Sequence, residues 1–171
     1  MRLKDKVAII TGGSRGIGFA TADAFLREGA KVAVAASSEK NAEAAVEKLK
    51  AIHPDAEVVG ISPNLGSFES VKEEFDKVEK QFGRIDILVN NAGVSESTPF
   101  TSYTEADFDR VIDLNVKGVF NATRAVVDGM IKNHSGVVLN TSSMVSISGQ
   151  PSGFALSLIH ISEPTRLGMI S

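Results

Sequence analysis

Along the 171-residue chain, short and almost wholly apolar runs alternate with longer segments whose apolar positions recur every three or four residues. The short runs, rich in Val and Ile, fall at residues 7–10, 32–36, 57–61, 85–89 and 137–140. Such continuous apolar runs suit strands buried on both faces, as in a parallel sheet covered by helices. Between them, GSFESVKEEFDKVEKQFG places Phe68, Val71, Phe75, Val78 and Phe82 along one side of a helix, a core stripe with no functional role. The segment TEADFDRVIDLNVKGVFNATRAVVDGMI opens with Thr104 and Asp107 in capping-box spacing. Helical periodicity then continues for about seven turns, which predicts the longest helix of the protein. Alternating strand and helix units predict an α/β fold with parallel strands, right-handed crossovers and a doubly wound sheet. The sequence has no internal repeat, linker or low-complexity tract, so one domain is expected.

Composition narrows the function classes. With 43% apolar and 23% charged residues, the chain is that of an ordinary globular protein able to bury one sizeable core. A net charge of −3, with the 18 Lys and Arg scattered among acids, offers no basic face for a phosphate backbone, so nucleic acid is not an expected partner. Without cysteine there is neither a disulfide nor a thiolate metal site, which fits a reducing compartment. The opening MRLKDKVAIITGG has too short an apolar run for a signal peptide, and no stretch approaches the ~20 apolar residues that span a bilayer. A cytoplasmic location and no membrane are the expectations.

Candidate chemistry begins directly after the first strand, with TGGSRGIG at residues 11–18 and a helical pattern behind it. Glycines here let the backbone approach a pyrophosphate closely, and the following helix N-terminus offers unpaired N–H groups and a favourable dipole. Taken alone, such a turn is equally well a tight connection. Its place after the first strand of a parallel sheet favours ligand binding, because ligands sit beyond the carboxyl ends of the strands at the switch point. The second strand ends VAVAASSEK, with Ala36 where a ribose-binding carboxylate is usual, then Ser37 and Ser38. Arg15 of the glycine loop can reach the same ribose. A guanidinium and hydroxyls without a carboxylate favour NADP(H) over NAD(H); the plainer alternative is that the serines only begin the loop to the next helix.

With IDILVNNAG from Ile85 and LNTSSMVS from Leu139 added, the chain resembles the short-chain dehydrogenase/reductase family in its bacterial form. The resemblance covers residues 1–155 and rests on TGGSRGIG, NNAG at residues 90–93, LNVKG around Asn115 and the serine segment, all in order and spacing. It implies a Rossmann-like NADP-binding domain over residues 1–155, a small carbonyl or alcohol substrate, and a homotetramer or homodimer in the full-length form. Gly12, Ser14, Arg15, Gly16, Ile17 and Gly18 would hold the pyrophosphate, with Ser37 at the ribose. Asn64 and Leu65 would flank adenine, although aspartate is commoner than Asn64 there. Asn90, Ala92 and Gly93 would pass close to the adenosine ribose and brace the sheet. Asn115 matches the asparagine that holds a water for proton relay, a purely structural hydrogen bond being the alternative. Ser143 matches the serine that polarises the substrate carbonyl, with Ser142 its rival if the register slips by one. No metal is implied.

The family's acid–base tyrosine lies thirteen residues beyond that serine and its lysine four further, but here those positions are Leu156 and His160. The only tyrosine, Tyr103, precedes the long helix. Three readings follow: an NADP-binding pseudoenzyme, His160 as a different base, or a tail at 156–171 foreign to the protein. The third is preferred, because LSLIHISEPTR resembles a translated sequencing adapter and the family pattern stops at GQPSGFA. On it the domain is incomplete: five strands in the order 3-2-1-4-5, an uncovered far edge on the fifth, exposed apolar surface on the long helix, poor stability and no activity. The cofactor loops are most similar to 3-oxoacyl-acyl-carrier-protein reductases. Bacterial bile-acid 3-hydroxysteroid dehydrogenases are the alternative, though these typically carry an acidic residue where Ser37 stands.

Overall fold

The computed structural model describes residues 1–95 and 98–143. Strands β1 (Val7–Thr11), β2 (Lys31–Ala35), β3 (Val58–Ile61), β4 (Ile87–Asn90) and β5 (Val137–Asn140) form one sheet in the order β3-β2-β1-β4-β5, every pair parallel. Order and direction are those expected. Strand limits differ from the apolar runs by one or two residues, most at β4. There Asp86, buried just before the strand, accepts the Val7 N–H at 3.0 Å and pairs with Arg84 at 2.6 Å.

Alternate side chains of each strand feed two cores. Ala8 and Ile10 pack with Ala22 and Leu26 of α1 (Gly16–Arg27) and with Ala45 and Leu49 of α2 (Glu39–Ile52). On the opposite face, Val7 and Ile9 pack with Val71, Phe75 and Val78 of α3 (Phe68–Phe82) and with Ala122, Val126 and Met130 of α5 (Gly118–Lys132). Every residue of β1 is buried, as a central strand covered on both faces must be. The phenylalanine stripe of α3 is therefore core, with Phe68 and Phe82 at its half-buried ends.

The long helix is not continuous. Thr104 and Asp107 do make the reciprocal capping box that opens α4 (Glu105–Ile112), but a single π turn at Asp113–Lys117 separates α4 from α5. Gly118 N–H reaches back to the Asp113 carbonyl, five residues away, instead of four. Apolar surface is left outside: Phe120 and Ile131 on α5 are 65% and 66% exposed, and Val137 and Leu139 on β5 are 49% and 47% exposed. Both the helix and the fifth strand thus carry the uncovered patches expected of them. None of the helices among the described residues is long and apolar enough to cross a membrane.

Because β2 and β3 lie on one side of β1 and β4 and β5 on the other, the connections diverge between β1 and β4. A crevice opens there at the carboxyl ends of the strands.

Candidate functional site

Thr11, at the end of β1, fixes this crevice. Its buried hydroxyl donates to the Val89 carbonyl at 3.3 Å and accepts the N–H groups of Asn91 and Ala92, both at 3.0 Å. The Asn91 amide returns across the same gap to the carbonyls of Thr11 at 3.1 Å and Gly12 at 3.3 Å. The loops after β1 and β4 are thereby locked together. Neither Thr11 nor Asn91 stood out in the sequence, although a hydroxyl at the end of a buried strand was the available signal.

The glycines serve different ends. Gly12 has φ +65° and lies so close to the β4 loop that a Cβ would meet Ala92 Cα at 2.9 Å. A Cβ on Gly18 would stand 2.3 Å from the Gly12 carbonyl oxygen, so that residue is spacing for helix against loop and is buried behind the crevice. Gly16, at φ +55°, would direct a Cβ where no protein atom lies within 4 Å. Helices α2, α3 and α4 begin with side-chain caps from Ser38, Ser67 and Thr104, but α1 begins at Arg15 with none and has no acid in its first turn. Its leading N–H groups are left to a ligand or to water.

These elements border a cleft of about 800 Å³. Gly12, Ser14, Arg15, Gly16 and Ile17 line it from the glycine loop, and Ser37 from the end of β2. Asn64 and Leu65 line it from the loop after β3, and Ala92 and Gly93 from the loop after β4. Asn90 does not. It is buried in β4, where its amide donates to Thr123 Oγ1 at 3.1 Å and Asn140 Oδ1 at 2.9 Å, so it braces the sheet and leaves the cleft to its neighbours. Asn64 turns its side-chain oxygen onto the Gly66 N–H at 3.1 Å, and the Leu65 carbonyl accepts from buried Asn121 of α5 at 2.8 Å.

The two serines after β2 divide their tasks. Ser38 Oγ accepts the Asn41 N–H at 3.3 Å as the cap of α2, so the loop-opening alternative describes Ser38. Ser37 is exposed in the cleft, and its oxygen accepts from the Asn41 side chain at 3.4 Å, leaving its own O–H to donate. Asn41, Ala44, Ala45 and Lys48 of α2 also line the cleft. The sequence reading passed over these, because helical residues face a cleft only through the packing of the helix.

Asn115 sits in the π turn, and its amide is fully engaged: Oδ1 accepts the Val94 N–H at 2.9 Å while Nδ2 donates to the Val94 carbonyl at 2.8 Å. The side chain therefore makes the structural hydrogen bonds that were the alternative to water binding. Ser143, three residues beyond β5, is half-buried on the same carboxyl edge and lies outside the lining of the cleft. Leu156, His160 and the boundary between 155 and 156 fall outside the described residues. No grouping of His, Asp or Glu suited to a metal occurs among the described residues.

Residues 6–157 match the family described as short chain dehydrogenase. The chain belongs to the short chain dehydrogenase family. It is 48% identical over 153 residues to a 3alpha-hydroxysteroid dehydrogenase of Mediterraneibacter gnavus, which covers 90% of this chain and 61% of that one. It is 40% identical over 151 residues to the 3-oxoacyl-acyl-carrier-protein reductase FabG of Thermotoga maritima, covering 88% of this chain and 61% of the reductase. Among solved structures, levodione reductase superposes with a TM-score of 0.88 at 34% identity, over 94% of this chain and 62% of that one. NAD+-bound xylitol dehydrogenase superposes with a TM-score of 0.86 at 32% identity, over 92% of this chain and 60% of that one. The chain thus spans about three fifths of the length of these family relatives.

Proposed function

We propose that the chain is the nucleotide-binding part of an NADP(H)-dependent oxidoreductase that interconverts a ketone and a secondary alcohol. The observation carrying this reading is the cleft itself, walled by an uncapped helix start and an open Gly16, with Arg15 and Ser37 at its rim and no Asp or Glu among the described residues that line it. Space at Gly16 fits a bound pyrophosphate, and the lack of a carboxylate fits a 2′-phosphate.

In this reading the N–H groups of Ser14, Gly16 and Ile17 hold the pyrophosphate. Arg15 and Ser37 hold the ribose 2′-phosphate, Asn64 and Leu65 flank adenine, and Ala92 and Gly93 lie along the ribose. The bound dinucleotide supplies the hydride donor or acceptor. The hydroxyl of Ser143 donates to the substrate oxygen, which gains negative charge as the carbonyl is reduced, and so stabilises the transition state more than the ground state. Asn115 holds the loop at Gly93 and Val94 through its amide, which makes it a positioning residue.

The reaction also needs a proton donor, which the family resemblance puts at positions 156 and 160 as Tyr and Lys. We read residues 156–171 as foreign to the domain that ends at 155, and expect the chain as written to be inactive. Genomic sequence across codon 156 tests this: Tyr and Lys four residues apart support it, whereas Leu and His support an NADP-binding protein without catalysis. Reduction of a ketone by the purified chain with NADPH would also sink it.

For the substrate, the carboxylate-free end of β2 favours a 3-oxoacyl thioester. The 48% identity to a hydroxysteroid dehydrogenase favours a 3-oxosteroid as the second reading. NADPH oxidation by the restored enzyme on acetoacetyl thioesters and on 3-oxosteroids separates the two.

A further inference from the structure

Helix α2 sorts its charges between two grooves. Asn41, Ala44, Ala45 and Lys48, spaced three and four apart, line the cleft of about 800 Å³. Glu39, Glu43 and Glu47 line a different groove, of about 840 Å³, together with Glu74 and the edge strand β3. All the carboxylates of this part of α2 thus face away from the cleft, and one ammonium group faces it. The segregation is not needed for solubility, which an even mixture of charges would serve as well.

Lys48 is placed to act at the end of β2. Side chains on a helix lean toward its N-terminus, so Lys48 leans over small Ala44 toward Asn41 and Ser37. Arg15 approaches the same end of the cleft from the glycine loop. Neither Arg15 nor Lys48 pairs with a carboxylate among the described residues, whereas Lys31, Lys77 and Arg124 each do. Two uncommitted cations, the free O–H of Ser37 and the amide of Asn41 form a recess for an anion carrying close to two negative charges, as a phosphate monoester does near neutral pH.

We propose that Lys48 is a specificity-determining residue that, with Arg15, selects the 2′-phosphate of NADP(H). The inference rests on the NADP(H) reading and adds a recognition residue on α2, beyond the glycine loop and the β2 end.

The test is equilibrium binding of NADPH, NADH, 2′-AMP and 5′-AMP to the purified chain and to K48Q, K48E and K50Q. Lys50 lies on the same helix outside both grooves and serves as the charge control. Wild type should bind NADPH more tightly than NADH. K48Q should weaken NADPH and 2′-AMP about five- to tenfold and leave NADH and 5′-AMP unchanged, as loss of one charge-assisted contact implies. K48E should weaken the phosphorylated pair further, and K50Q should change nothing. Since Lys48 is exposed, unchanged thermal midpoints should accompany these shifts. A K48Q chain that keeps the wild-type preference for NADPH, or loses NADPH and NADH equally, overturns the role of Lys48 alone. A wild type without preference for NADPH overturns the NADP(H) reading and this inference with it.

Discussion

The side chain of Asn115 closes on a single residue, accepting the Val94 N–H at 2.9 Å and donating to the Val94 carbonyl at 2.8 Å. A residue of the π turn is thereby tied to the loop that follows β4 and lines the cleft. Asn115→Ala would leave both backbone groups of Val94 without their partner, at a cost of about 1–3 kcal/mol for part-buried groups. Urea unfolding of the variant checks this, and stability equal to wild type would show that the pair holds nothing in place. Cofactor affinity should fall with it, because Gly93 belongs to the same loop.

Gly16 and Gly18 should separate fold from binding. Gly18→Ala drives a Cβ to 2.3 Å from the Gly12 oxygen and 2.6 Å from Asn91 Nδ2, a clash with backbone that the loop can relieve only by moving. It should lower the thermal midpoint and abolish cofactor binding. Gly16→Ala meets no protein atom, so it should cost only the ~1–2 kcal/mol of a left-handed L-residue while its methyl group fills the cleft and blocks binding. Equal midpoints for the two variants would contradict this division.

How far the fold was legible follows from the range of its causes. The sheet order, the buried strands and the Thr104–Asp107 cap come from local pattern, and the sequence carries them in full. The π turn was not legible, because helical periodicity runs through it unbroken. What accompanies it is tertiary: a Cβ at Gly118 would lie 3.2 Å from Leu65 Cβ, Asn121 holds the Leu65 carbonyl, and Asn115 holds Val94. In the cleft, the glycine loop and the residues after β2, β3 and β4 follow motifs, while Asn41 and Lys48 of α2 enter through packing alone. Asn90 was misplaced for a related reason: its motif is shared with cleft residues, but strand alternation turns its side chain into the sheet.

The capping box of α4 should respond to acid. The Thr104 hydroxyl, with the Thr104 N–H, holds the Asp107 carboxyl below the ordinary aspartate range. A folded value below the unfolded one means that the stabilisation is complete above the unfolded value and is lost as pH falls through the folded one. Asp107→Asn should therefore lower stability at neutral pH and narrow its gap to wild type as the solution becomes strongly acidic. Thermal melts from neutral to acidic pH measure that gap, and a gap independent of pH would refute the assignment.

Ser37→Asp should invert cofactor preference. A carboxylate at the end of β2 faces the ribose, accepts from its hydroxyls and repels a 2′-phosphate. NADPH affinity should fall by about tenfold or more and NADH affinity should rise, each read by quenching of nicotinamide fluorescence. Should NADPH remain the preferred ligand of the variant, the 2′-phosphate does not sit at Ser37.

Titrating the unmodified chain with NADPH and NADH tests the central claim most directly. The cleft at the β1–β4 switch point predicts saturable binding of NADPH, about tenfold or more tighter than NADH at low salt, with the difference shrinking as salt is added. Binding of NADH as tight as NADPH, or no saturable binding of either, would contradict it.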